Sequence, residues 1–298
     1  MLTVWTERVI LVLNSECMKL SVITINFNSR DGLRKTIESV VNQTYKDFEY
    51  IIIDGGSTDG SVDVIKEYAD RIDYWVSEPD RGIYDAMNKG VDVAKGEYHN
   101  FMNSGDTFCN NDTLERVCVL LGDCDIVCGN TIMPYKQEPI KEITFNSLYS
   151  GTICHQCAFI KGSLMKKYRY DETLKIVADR KFFIQALILE NCSYSAIDVD
   201  VVNYDINGFS SNNRFLSDYE HSKVLEELIP ERIRQDYGQR NFGVLYGDTD
   251  YEKFFFEVGK RNYRGLVYSI SVFLLRIFSI FKKSASFSKI FPLRLKRS

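Results

Sequence analysis

From Leu20 onward the chain repeats one unit, and that repetition limits the fold more than any other feature: a β-rich run, a polar turn, then a stretch with helical spacing. Leu20–Ile25 passes through Asn26-Phe27-Asn28-Ser29 into a helix predicted from Asp31 to about Gln43, with Leu33, Ile37, Val40 and Val41 on one face. Tyr50–Ile53 is followed by the turn Asp54-Gly55-Gly56-Ser57-Thr58-Asp59-Gly60 and a helix over 61–70 with Val62, Ile65 and Ala69 inward. Ile72–Val76 is a third strand, Tyr84 to Ala94 a third helix, and Tyr98–Met102 a fourth strand. Strands alternating with helices imply right-handed crossovers and a parallel sheet covered on both faces. The first hundred residues therefore read as a half-domain of the nucleotide-binding type.

In such a sheet ligands bind in the crevice outside the carboxyl ends of the strands. The fourth strand breaks into Asn103-Ser104-Gly105-Asp106, which puts Asp106 at that crevice, with Gly105 allowing close approach or a positive φ. Asp106 reads either as a metal or phosphate-site carboxylate or as the cap of a helix starting near Asn110. Asp54 ends the second strand beside Gly55-Gly56 and is read as a ligand contact, whereas Asp59 is read as a helix cap.

Several function classes recede. The first βα turn lacks the G-x-G-x-x-G phosphate turn, which counts against a dehydrogenase. Eight cysteines have irregular spacing and no convincing secretory signal precedes them, so reduced thiols packed in a cytosolic protein are expected. Cys154-x-x-Cys157 is half a zinc motif without a second pair. The net charge of −4 hides an asymmetry, because no Asp or Glu follows Glu257 while ten basic residues do. Leu266–Phe281 is apolar but shorter than the roughly 20 residues that span a bilayer. An in-plane amphipathic helix on an anionic membrane surface is expected there, with a helix packed on the enzyme as the alternative. No nucleic-acid partner is expected.

The segments SVITINFNSRDGLRKTIESVVNQTYKDFEYIIIDGGSTDGS, EPDRGIYDAMNKGVDVAKGEY and FMNSGD together resemble the N-terminal half of the inverting family 2 glycosyltransferases of GT-A fold, strongly over Leu20–Phe108 and more weakly to about Ala186. The resemblance implies an α/β fold: a Rossmann-like nucleotide-binding mixed sheet flanked by helices, with a C-terminal helical, amphipathic extension. It implies Ile25, Phe27 and Asp54 at the nucleotide base. Asn103, Gly105 and Asp106 would lie at ribose and metal, with Asp106 the metal carboxylate for Mn2+ or Mg2+. Two departures stand out, since Gly105 and Gly55 each occupy a position where the family often carries an acid. Arg81 matches a loop near the donor phosphates and is read either as a diphosphate ligand or as a surface turn, and Asn88 as structural. His155 and Gln156 fall on the acceptor side, and Asp179, opening a helix that runs to about Leu189, matches the general base.

The organisation implied is an N-terminal arm over 1–17, a catalytic domain over 18–214, a helical region over 215–262 and a basic membrane-associating tail over 263–298. The activity implied is transfer of a sugar from a nucleotide-sugar donor, UDP-linked by preference, to a surface polysaccharide or lipid-linked glycan. A bacterial-type enzyme peripheral on the cytoplasmic face of the plasma membrane is expected. The alternatives are an inactive scaffold of the same fold, which the halved acid motifs would suit, and another nucleotide-binding enzyme such as a nucleotidyltransferase.

Overall fold

A computed structural model describes residues 20–206 and 213–241. The sheet is built from β1 (Leu20–Asn26), β2 (Phe48–Asp54), β3 (Tyr74–Ser77), β4 (Tyr98–Phe101), β5 (Thr107–Phe108), β6 (Ile126–Ile132), β7 (Lys136–Gln137), β8 (Ala158–Lys161) and β9 (Tyr194–Asn203). Its strand order is β3-β2-β1-β4-β8-β6-β9-β5, with β7 on β6. The helices are α1 (Arg30–Val41), α2 (Ser61–Glu67), α3 (Ile83–Val93), α4 (Thr113–Cys118), α5 (Phe145–Ser150), α6 (Gly162–Tyr168), α7 (Ala178–Phe183), α8 (Arg214–Leu228) and α9 (Glu231–Asn241).

The first four strands pair in parallel, as the alternating pattern requires. β1 lies between β2 and β4 and is buried along its whole length, the signature of a strand covered on both faces. Beyond β4 the sheet becomes mixed. β8 runs antiparallel to β4 and to β6, and β9 runs parallel to β6, so β9 points the same way as β1. The carboxyl ends of β1, β2, β4 and β9 consequently share one edge with the start of β8. That edge carries the site.

Helix packing follows the predicted faces. α1 buries Leu33, Ile37, Val40 and Val41 together with Thr36, and α3 buries Met87 and Val91. α3 can approach the sheet closely because Gly90 faces it: a Cβ there would lie 2.5 Å from Ile23 Cγ2. One buried polar group ties three strands together. Glu49 accepts from Ser21 Oγ at 2.6 Å and from the Gly96 N–H at 2.8 Å, stitching β1, β2 and the start of β4 at the far end of the sheet.

The structure departs from the sequence-based expectations in three places. Ile153–Ile160 is not one strand: residues His155–Cys157 form a 3-10 turn and β8 starts at Ala158. The helix expected through Leu189 is α-helical only to Phe183, and Ile184–Leu189 continues as a π-helix. The last strand starts at Tyr194 rather than Val199. The chain divides into two compact units, Met1–Arg234 and Gln235–Ser298, and α8 belongs to the unit that holds the sheet. The N-terminal arm, the loop at 207–211, the aromatic stretch at 248–259 and the basic tail lie outside the described residues. No helix among the described residues is long and apolar enough to cross a membrane.

Candidate active site

The turn after β4 is shaped by α1. Thr36 Oγ accepts from the Gly105 N–H at 3.0 Å and donates to the Asp106 carbonyl at 2.7 Å, while the Asp106 N–H closes onto the Asn103 carbonyl at 2.9 Å. Gly105 has φ +106°, a conformation open to glycine. Asp106 is 4% exposed and caps no helix, since α4 starts only at Thr113. Its Oδ2 accepts from Gln156 Nε2 at 2.9 Å and its Oδ1 from the Asp205 N–H at 2.8 Å. Burial pushes the Asp106 carboxyl up to about 6, against the pull of these two donors.

Asp179 stands in the first turn of α7, where an acid is favoured by the helix dipole. The segment before it is pinned on two sides. Tyr84 OH, from α3, donates to the Ile176 carbonyl at 2.5 Å, and Glu220, from α8, accepts the N–H groups of Lys175 and Ile176 at 2.8 and 2.9 Å. Lys181 ties α7 to its surroundings through Asp171 at 2.7 Å and Glu227 at 2.6 Å. Asp179 Oδ1 accepts from the Arg180 N–H at 2.8 Å and from Tyr84 OH at 3.3 Å, and Oδ2 faces His155 Nδ1 at 3.0 Å.

The two aspartates meet at the 3-10 turn. His155 reaches Asp179 through Nδ1 and Asn103 Nδ2 through Nε2 at 3.0 Å, while its neighbour Gln156 holds Asp106. Burial alone would lower the His155 pKa, yet the Asp179 carboxylate outweighs it and holds it above its ordinary value. With Nδ1 protonated, Nε2 is the acceptor for Asn103, and the imidazole orients the Asp179 carboxylate without competing for its second role.

The other expected residues divide. Ile25 is buried and Phe27 is 64% exposed at the end of β1, a flat apolar face open to a ligand. Asp54 is fully buried and its carboxylate accepts from Asn26, from Ser57 twice and from Ser77. Despite its burial these donors hold its carboxyl below the usual range, and it organises the loop rather than offering a bare face. Asp59 accepts from the Arg30 N–H at 2.8 Å and the Ser61 N–H at 3.0 Å, the first residues of α1 and α2, while the N-cap position of α2 is Gly60. Arg81 is tied to Asp85 at 2.7 Å and Glu172 at 2.5 Å. Asn88 bonds the Tyr170 backbone in both directions, a structural role as expected. Gln156, expected on the acceptor side, is buried and donates to Asp106.

Asp205 is not singled out by sequence, because it falls at the crevice edge only by virtue of the direction of β9, which the pairing with β6 fixes. Asp80 was likewise passed over, and its carboxylate sits where a Cβ on Gly55 would be. Cys154 and Cys157 are packed thiols, and no group of three His, Cys, Asp or Glu among the described residues is set to hold a metal by itself.

Comparison with known proteins agrees with this geometry. Residues 21–173 match the model of glycosyl transferase family 2. An uncharacterized glycosyltransferase of Mycobacterium tuberculosis is 33% identical over 205 residues, 65% of this chain and 77% of that protein. A PGL/p-HBAD biosynthesis glycosyltransferase of Mycobacterium bovis is 30% identical over 202 residues, 64% of this chain and 78% of that one. Among solved structures, S. aureus TarS 1-349 in complex with UDP superposes with a TM-score of 0.54 at 22% identity, over 63% of this chain and 60% of that one. The mannosyltransferase PcManGT from Pyrobaculum calidifontis, in complex with GDP-Man and Mn2+, gives 0.55 at 16% identity, over 74% of this chain and 68% of that one. At these identities the superpositions speak for the GT-A fold.

Proposed function

Since the chain belongs to glycosyl transferase family 2 and is a glycosyltransferase, we propose that it moves a sugar from a nucleotide-linked donor, UDP-linked by first choice, to a hydroxyl of a glycan or lipid-linked acceptor by a single displacement that inverts the anomeric centre. The observation that carries the proposal is the turn His155–Gln156, whose adjacent side chains hold Asp179 and Asp106. Both carboxylates are thereby bonded to one turn, at the edge where a donor would lie.

In this reading Asp179 takes the acceptor hydroxyl proton as the new bond forms, a step in which a positioned base contributes roughly 10²–10⁴-fold. His155 keeps the carboxylate aimed and its charge partly offset. Phe27 offers its exposed ring to the nucleotide base, and the loop folded by Asp54 lies beside it. Asp106 would hold a divalent cation: its surroundings present oxygen atoms, including the buried Asn103 Oδ1 and Ser104 Oγ that lack protein partners, and hard cations such as Mn2+ or Mg2+ take oxygen ligands. Such an ion supplies Lewis-acid stabilisation to the departing diphosphate.

The names of similar proteins support the donor class, since they include proteins solved with UDP, with UDP-GlcNAc and with GDP-Man and Mn2+. Relatives named for PGL/p-HBAD biosynthesis support a biosynthetic role. A cytoplasm-facing enzyme in peripheral contact with the membrane is part of the same proposal, supported by the basic and apolar sequence of 263–298. Thermal shift against a panel of nucleotide sugars with and without Mn2+ tests the reading, because a ligand of the native state raises apparent stability. A metal-dependent shift with at least one sugar nucleotide, followed by transfer to an acceptor, is expected. A folded protein that neither shifts with any of them nor hydrolyses any would be a scaffold and not an enzyme.

A further inference from the structure

The acid pair of the resemblance is broken at Gly105, and the structure shows what fills the gap. A Cβ built on Gly105 would lie 2.8 Å from Asp205 Oδ2 and 3.3 Å from Asp205 Cβ. A carboxylate from the end of β9 thus stands in the space that a side chain at position 105 would need. The same N–H that places Asp205 also binds the neighbouring acid, since Asp205 N donates to Asp106 Oδ1 at 2.8 Å across a separation of 99 residues. On the opposite side Gly105 is pressed by α1, where a Cβ on Gly32 would come within 3.2 Å of the Gly105 nitrogen. A side chain at 105 would therefore displace the Asp205 carboxylate from the place it holds in this chain.

We propose that Asp205 is the second carboxylate of the donor site, supplying from β9 the charge absent at position 105 and sharing with Asp106 the divalent cation that accompanies a nucleoside diphosphate. The inference rests on the donor-site reading above. Two carboxylates plus phosphate oxygens match the way such ions are held, by one or two protein carboxylates with the remaining positions left to substrate and water. The chemistry of the pair is oxygen only, and it adjoins the turn whose buried Asn103 Oδ1 and Ser104 Oγ lack protein partners. Gly55 repeats the arrangement at the neighbouring strand end, where the Asp80 carboxylate takes the place of a side chain. Both breaks in the acid pattern are thus met by an aspartate arriving from elsewhere in the chain.

The test is Mn2+ binding to the full chain, followed by the electron paramagnetic resonance of the free ion in the presence of UDP or GDP, for wild type, Asp205→Asn, Asp205→Glu and Asp106→Asn. Asp205→Asn keeps the side-chain volume and the backbone N–H to Asp106 while removing the charge. It is expected to weaken Mn2+ binding tenfold or more, with Asp205→Glu restoring part of the loss, and with nucleotide affinity in EDTA and the melting temperature of the metal-free protein unchanged. Wild-type Mn2+ affinity in Asp205→Asn would overturn the inference while leaving the donor-site reading intact. A wild-type chain that takes up no Mn2+ with either nucleotide would overturn both. Equal losses in Asp205→Asn and Asp205→Glu accompanied by a lowered melting temperature would mark Asp205 as a support of the turn and likewise overturn it.

Discussion

Asp179 Oδ2 and His155 Nδ1 lie 3.0 Å apart, and the imidazole that makes this contact belongs to the residue next to the one that holds Asp106. Replacing Asp179 by Asn preserves the contact, because the amide oxygen still accepts from Nδ1–H, but it removes the base. Asp179→Asn is expected to lower kcat by roughly 10²–10⁴-fold with donor affinity near wild type. Steady-state kinetics beside calorimetric nucleotide binding checks this, and full activity would remove Asp179 from the chemistry.

Asp106→Asn carries a cost in stability, because Asp106 is 4% exposed and both its oxygens accept from N–H donors. An amide at this position turns its NH2 toward one of those donors and strands it inside the protein. A loss of about 1–3 kcal/mol follows from an unsatisfied buried partner. Chemical denaturation should therefore separate Asp106→Asn from the wild-type protein. Equal stability of Asp106→Asn and wild type would mean that the Gln156 and Asp205 donors are not holding the carboxylate.

Arg81 already has carboxylate partners in Asp85 and Glu172, and its side chain is 75% exposed. Arg81→Ala is accordingly expected to leave the melting temperature near wild type, as the loss of exposed ion pairs does, and to leave donor KM within twofold. A tenfold rise in donor KM would show that the guanidinium leaves those partners for the diphosphate.

His99, buried in β4, has its pKa pushed down to about 4 by burial, with Lys166 adding to the shift and Glu49 opposing it. The folded state disfavours the protonated ring, so the unfolded chain gains protons first as pH falls below 6.5. Stability should then drop between pH 6.5 and pH 4 by about 3 kcal/mol from this group, at 1.36 kcal/mol per pKa unit. His99→Phe should flatten that part of the stability profile in urea titrations across the range. An unchanged slope would assign the acid sensitivity to other groups.

The parallel half of the fold was legible because each of its strands and helices carries its own period. β1 reads as a continuous apolar run, and α3 presents Met87 and Val91 at helical spacing. The turn at His155 was not legible, since Ile153–Ile160 is apolar enough for a strand and only the pairing of β8 with β4 and β6 fixes where the strand starts. Asp106 and Asp179 could be picked out as acids at element ends. What bridges them could not, because a hydrogen bond between residues 155 and 179 or 156 and 106 leaves no periodic trace. Asp205 shows the same limit from another side: its significance depends on the direction of β9, which the strand's own residues do not declare.

The turn at 155–157 also sets a length. Consecutive α-carbons across a trans peptide stand 3.8 Å apart, and His155 and Gln156 are such a pair. Asp179 and Asp106 are thereby bonded to neighbouring residues on one amide plane, so a displacement of this short turn would shift a partner of each carboxylate at once.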